Sequence, residues 1–229
     1  MEDARAYQEL RVGFTAAVSH ELRTPLARLL ALLESASLPD ADRDALLAQA
    51  RDQVEEMSEL VDDVLFLSEL ESGREVVALG STPALPVLVE VRDRLANRAE
   101  NADVTIRIEA PGDVELPLRR RMLQIVVENL AENSIRYAGP GSTLTISARE
   151  GVLEAADDGR GVEEDELPRL FERFYRSDRA RASRGTGLGL AIVKHVVTAA
   201  GGEVQATGGP GHGLTVRCSF SMSAPSSVS

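Results

Sequence analysis

The chain has 229 residues, 43% of them hydrophobic and 27% charged, with 37 acidic and 25 basic side chains for a net charge of −12. This composition excludes a disordered chain, and the length is enough for one large domain or two small ones, each with its own core. So acidic a surface repels the phosphates of nucleic acids and of anionic membranes, and neither is an expected partner. Cys218 is the single cysteine, which rules out an internal disulfide and fits a reducing compartment. The longest uncharged apolar-rich run, Val76 to Val89, contains Pro83 and Pro86 and falls short of the roughly 20 residues that cross a bilayer. No leader pattern stands at Met1.

From the N-terminus to Gly73 the pattern predicts two long helices. On a helical wheel Leu10, Phe14, Val18, Leu22, Leu26, Leu29 and Leu33 share one face. Ser37-Leu38-Pro39-Asp40 interrupts the pattern, with Pro39 and Asp40 read as the turn and helix start. In the second helix Leu47, Ala50, Val54, Met57, Val61 and Val64 form one heptad seam, opposite Asp52, Glu55, Glu56, Glu59, Asp62 and Asp63. A lone hairpin cannot enclose such a stripe, whereas two hairpins paired as a four-helix bundle can. A homodimer is the expectation.

Residues 74–83 read as a linker, and 84–222 as a mixed domain. Helices are predicted over Leu85–Ala99, Leu118–Tyr137 and Gly189–Ala200, and strands over Val104–Glu109, Leu144–Ala148, Val152–Ala156 and Leu214–Phe220. Without regular alternation, these elements suggest an α+β two-layer sandwich. The Ser-rich tail, 223–229, is expected to be disordered. The fold class is therefore multi-domain: an all-α helical hairpin followed by an α+β domain.

Five constellations carry chemistry. In Ser19-His20-Glu21-Leu22-Arg23-Thr24-Pro25-Leu26, His20 points away from the apolar stripe and Thr24 follows one turn later. An exposed imidazole can attack phosphorus with one ring nitrogen while a neighbouring carboxylate such as Glu21 takes the proton from the other. Pro25 removes a helical hydrogen bond and is expected to kink the helix there. On the helix Glu128 to Tyr137, Asn129 and Asn133 share a face, and their amide oxygens are hard ligands suited to Mg²⁺. Arg136 is placed to reach a phosphate and Tyr137 to stack on a base.

Asp157-Asp158-Gly159-Arg160-Gly161 follows a strand, where an aspartate can accept from an adenine amino group. Gly185-Thr186-Gly187-Leu188-Gly189-Leu190 enters an apolar helix, whose N-terminal amides bind phosphate. No Gly-Lys-Ser/Thr follows, so it is not a Walker loop. Phe171 to Arg176, followed by Arg179, Arg181 and Arg184, reads as a basic lid. Taken singly, each has a bland reading: a solvated histidine, surface asparagines, an acidic turn, an ordinary glycine loop, an arginine-rich loop. His195 and His212 are read as structural or solvated.

Together and in this order, over Leu10 to Phe220, the five resemble the boxes of the sensor histidine kinases of two-component systems. That resemblance implies a dimeric four-helix bundle carrying the phosphoacceptor, and a Bergerat-type ATP-binding domain. It implies that MgATP phosphorylates His20, with Glu21 as general base and Asn133 as chief Mg²⁺ ligand supported by Asn129. Asp157 would read adenine. Gly159, Gly161, Gly185, Thr186, Gly187, Leu188, Gly189 and Leu190 would shape the pocket and phosphate loop, with Phe171, Phe174 and Arg176 in the lid. The phosphoryl group would pass to an aspartate of a response-regulator receiver domain, and Thr24 would position water for dephosphorylating that regulator. The resemblance also implies a cytoplasmic location, with membrane attachment only through an N-terminal sensor region outside this sequence. An alternative is a phosphatase-biased or scaffolding relative. Two departures stand out: Arg184 where many members have glycine, and the small Ala155 and Ala156 before Asp157.

Overall fold

The computed structural model describes residues 2–38, 42–71, 80–177 and 185–221. The chain divides into two compact units; the first takes in the residues up to Ser68, within the second helix, together with Gly185 and Thr186.

The first unit is built on α1 (Glu2–Ala36) and α2 (Arg43–Glu71). Helix α1 runs unbroken through Pro25, which is buried. Pro25 has no N–H, so the Glu21 carbonyl loses its intrahelical donor. The helix start expected at Asp40 lies two residues later. Asp42 caps α2, its carboxylate accepting from the Ala45 amide at 3.1 Å. Pro39 and Asp40 lie outside the described residues.

The heptad seam expected on α2 splits into two rows. Ala50 is buried, with Met57 and Val64 half-buried, while Leu47, Val54 and Val61 stay 42–50% exposed. The most buried row is Gln53, Leu60 and Leu67, again at heptad spacing. On α1, Leu26, Leu30 and Leu33 are likewise about half exposed. A single hairpin therefore leaves apolar rows on both helices in water, each side chain forgoing part of the roughly 1.5–3 kcal/mol that full burial supplies. Among the described residues no helix is long and apolar enough to cross a membrane.

The second unit is an α+β sandwich. Its elements after α2 are β1 (Thr82–Pro83), α3 (Ala84–Asn101), β2 (Val104–Glu109), β3 (Glu115–Leu116), α4 (Arg120–Tyr137), β4 (Ser142–Arg149), β5 (Val152–Asp157), α5 (Gly189–Ala199), β6 (Gly202–Gly208) and β7 (Leu214–Phe220). Five strands form a mixed sheet in the order β2-β4-β5-β7-β6, with β2 parallel to β4 and the other pairs antiparallel. Helices α3, α4 and α5 pack on the sheet and on one another. Alternation puts Leu144, Ile146, Ala148, Leu153, Ala155, Val216 and Cys218 inside. Small as they are, Ala155 and Ala156 do not interrupt pairing, since β5 is bonded along both edges.

Strand β6 and the short β1–β3 pair were not expected. The pair takes in the end of the segment read as a linker. Thr82 is buried and donates its hydroxyl to the Leu118 carbonyl at 2.6 Å, and the Ala84 amide bonds the Val114 carbonyl at 2.9 Å. Residues 80–83 are thus anchored to the sandwich. Residues 74–79, the basic run with Arg179, Arg181 and Arg184, and the tail 223–229 lie outside the described residues.

Candidate functional site

In the second unit four segments meet around the end of β5. Helix α4 buries Leu123, Val126, Val127, Leu130, Ala131 and Ser134 as one stripe. Its outer side is tied to α3: Glu128 accepts from Arg94, and Glu132 accepts from Arg98 at 2.6 Å and from Arg136 at 3.4 Å. Burial pushes the Glu128 carboxyl above the usual carboxylate range, against the pull of Arg94. Arg136 is therefore already engaged with Glu132, while Tyr137 is half-buried at the helix end.

Asn129 and Asn133 occupy the strip between these faces, both half-buried. The Asn129 amide nitrogen donates to the Ile125 carbonyl at 2.8 Å. Its oxygen faces the first residue of α5, where a β-carbon on Gly189 would stand 2.6 Å from it. Asn133 makes no side-chain hydrogen bond among the described residues, so its amide oxygen is uncommitted. Among those residues no cluster of His, Cys, Asp or Glu is arranged for a metal. Amide and phosphate oxygens suit hard Mg²⁺ nonetheless, and Asn133 fits that ion.

Asp157 continues the inward series Leu153, Ala155 and is buried. Its Oδ1 accepts from the amides of Gly159 (3.0 Å) and Leu214 (3.3 Å), and its Oδ2 from the Ser134 hydroxyl (2.9 Å). The following loop is held on two sides. The Arg160 amide bonds the Ala138 carbonyl at 2.9 Å, and the Gly213 amide bonds the Gly159 carbonyl at 3.1 Å. Gly161 packs against the Gly209 carbonyl.

Two residues unassigned by sequence reading thus belong to the site: Ser134 and Gly213. Gly213 has φ +72, and a β-carbon there would lie 1.8 Å from the Asp157 carbonyl, so only glycine fits. The glycine-rich turn around His212 was the signal for it. His212 itself is exposed and His195 half-buried.

The first part of the segment expected to form a lid meets Gly187. The Phe174 amide donates to the Gly187 carbonyl at 2.9 Å, with Phe174 at φ +61 and Gly187 at φ +68. A β-carbon on Gly187 would come within 2.9 Å of the Phe174 backbone. Phe171, Phe174 and Arg176 are half-buried. Tyr175 donates to Glu166 at 3.2 Å beneath the Arg169 guanidinium, 4.3 Å from the ring centre. Leu188 is buried and precedes α5, with Gly189 and Leu190 half-buried; Gly185 and Thr186, expected in this loop, group with the first unit instead. The first amides of α5 have no intrahelical acceptor, and among the described residues no side-chain cap, as an anion site requires.

In the first unit His20 is exposed on α1, and its ring makes no hydrogen bond among the described residues. A shallow depression runs along this face past His20, Arg23, Thr24, Ala27, Arg28 and Ala31. The Thr24 hydroxyl lies 3.5 Å from the His20 carbonyl. Glu21 is half-buried and not bonded to His20.

Comparison with known proteins matches both units. Residues 10–73 fit the family model for the His Kinase A (phospho-acceptor) domain, and residues 118–224 that for the histidine kinase-, DNA gyrase B- and HSP90-like ATPase. The chain is 34% identical to the sensor-like histidine kinase SenX3 of Mycolicibacterium smegmatis over 94% of its own length and 57% of that protein's. It spans little more than half of such curated relatives. Histidine kinase AdeS of Acinetobacter baumannii has a similar structure, with TM-score 0.72 and 27% identity over 90% of this chain and 98% of AdeS. Histidine kinase ThkA, in complex with response regulator protein TrrA, shares the fold at TM-score 0.74 and 18% identity over 94% and 63% of the two chains. With its two units matched in order, the chain belongs to the sensor histidine kinases of two-component systems.

Proposed function

We propose that the chain is a protein-histidine kinase that transfers the γ-phosphoryl group of ATP to its own His20 and then to an aspartate of a receiver domain. The observation that carries this reading is His20 itself, exposed and unbonded on α1 in a chain whose other unit gathers the nucleotide segments around Asp157. A nitrogen–phosphorus bond forms at one ring nitrogen of His20 as the bond from phosphorus to the bridging oxygen of ADP breaks. The proton on the other ring nitrogen passes to Glu21. Asp157 accepts from the adenine amino group, and the amides at the start of α5 hold phosphate oxygens. Phe171, Phe174 and Arg176 begin a lid over that site. Asn133, with Asn129 in support, would hold Mg²⁺, which would supply positive charge to the triphosphate.

The half-exposed rows on both hairpin helices support a homodimer, in which a second copy covers Leu26, Leu33, Leu47, Val54 and Val61. The small Ala27 and Ala31 leave room for a receiver beside His20, and ThkA is a relative in fold that assembles with a response regulator. Thr24, on the same face, would orient water for dephosphorylation of that regulator. A cytoplasmic location, with any membrane attachment supplied by a preceding sensor region, fits this reading.

The experiment is transfer. Chain labelled from ATP and freed of nucleotide is mixed with a purified receiver domain. Label moving to a receiver aspartate supports the phosphorelay. Label lost to water, with the receiver never labelled, would leave an ATPase of the same fold.

A further inference from the structure

We infer that Ser134 is a positioning residue for Asp157, and that its hydroxyl sets how strictly the pocket selects a base carrying an amino group. The inference rests on the proposed adenine-reading role of Asp157 and names what tunes it.

An ionised carboxylate offers about four acceptor positions. The described residues use three of them on Asp157. Two backbone amides, of Gly159 and Leu214, occupy Oδ1, and the Ser134 hydroxyl occupies one side of Oδ2 at 2.9 Å. Turn geometry fixes the backbone donors. The direction of the fourth position, the second lone pair of Oδ2, therefore depends on a single side chain.

That side chain is well held. Ser134 is 4% exposed in the buried stripe of α4, its carbonyl accepting from the Ala138 amide at 2.9 Å, and Asp157 is 9% exposed. Water does not readily take the place of the hydroxyl there. A purine with a 6-amino group donates to the remaining position. A 6-oxo purine would bring lone pair against lone pair, and a purine lacking either group would leave the position unmet. Without the Ser134 donor the carboxylate has two open directions on Oδ2, and a base amino group is no longer met in one defined place.

A tie between α4 and β5 that is only structural would affect every nucleotide alike. The test therefore compares ADP with the diphosphate of purine riboside, which lacks the 6-amino group, so that no turnover intervenes. Affinities are measured calorimetrically on the full chain for wild type, Ser134→Ala, Ser134→Cys, Asp157→Asn and the double variant Ser134→Ala/Asp157→Asn. Ser134→Ala is expected to cut the preference for ADP by at least about fivefold, with little change for the purine riboside compound. Ser134→Cys, a weaker donor of similar size, falls between. In the Asp157→Asn background, where the preference is already gone, Ser134→Ala adds nothing. If Ser134→Ala leaves the preference intact while Asp157→Asn abolishes it, the inference is overturned and the adenine-reading role survives. If Asp157→Asn keeps the preference, the adenine reading itself fails and the role of Ser134 with it.

Discussion

The side-chain amide of Asn129 joins two distant segments: its nitrogen is bonded to the Ile125 carbonyl at 2.8 Å, and its oxygen lies against Gly189 at the start of α5. Asn129 thereby ties the asparagine segment to the end of the glycine loop that enters α5. A methyl group at Gly189 would meet that oxygen at 2.6 Å, with the amide unable to swing away without losing its own hydrogen bond. Gly189→Ala should cost about 1–3 kcal/mol and weaken ADP binding. Thermal melting and calorimetry check this; an unchanged affinity would mean that α5 shifts freely.

Asn133 differs from Asn129 in having its amide uncommitted. Asn133→Ala should leave ADP affinity in the absence of Mg²⁺ nearly unchanged and remove the gain that Mg²⁺ confers. Autophosphorylation should fall by at least about a hundredfold. Titration with and without the ion reads the two effects separately. An Mg²⁺ gain that persists would assign the ion elsewhere.

Val54 is 50% exposed in the row Leu47, Val54, Val61. A lysine there costs an isolated hairpin little, within about 0.5 kcal/mol, but buries a charge in a paired bundle. Val54→Lys should convert a dimer to a monomer in light scattering while ADP binding is retained. A wild type that is monomeric at micromolar concentration would remove the dimer from the account.

Cys218 is buried on the inner face of the sheet, and burial pushes its thiol up from 9.0 to about 12. The thiolate is the reactive form, so at pH 8 a thiol reagent should label the native chain far more slowly than the unfolded chain. The raised value also has a stability consequence. Between pH 9 and about 12 the unfolded thiol ionises first, so this contribution is complete below pH 9 and lost as pH rises toward 12. Cys218→Ala should flatten that alkaline decline in melting temperature, though its lower overall stability shifts the whole curve.

Much of this was legible beforehand because alternation and heptads leave strong marks. Strand β2 and β7 match the predicted bounds, and α4 begins two residues after its predicted start. Asp157 was readable as an inward charge, since Leu153, Ala155 and Asp157 keep one parity. Strand β6 does not stand out because it is an edge strand with glycine at both ends, its outward positions Glu203, Gln205 and Thr207 polar and Val204 the one sizeable apolar residue on its inward side. The β1–β3 pair is two residues long, below any period. The α2 seam was merged because rows 47-54-61 and 50-57-64 both read as apolar, and only packing separates the covered row from the open one. Ser134 sits at a stripe position of α4, where a hydroxyl among apolar neighbours signals a buried partner; naming that partner takes the long-range contact to β5.

Acceptance of the γ-phosphoryl group by His20 is the step on which the proposed activity depends. The direct measurement incubates the chain and its His20→Gln variant with Mg²⁺ and ATP labelled on the γ-phosphate, then tests the label against acid and base. Acid-labile, base-stable label is expected on the wild type and none on the variant. Label that persists on His20→Gln would contradict this expectation, because the acceptor would then be another residue.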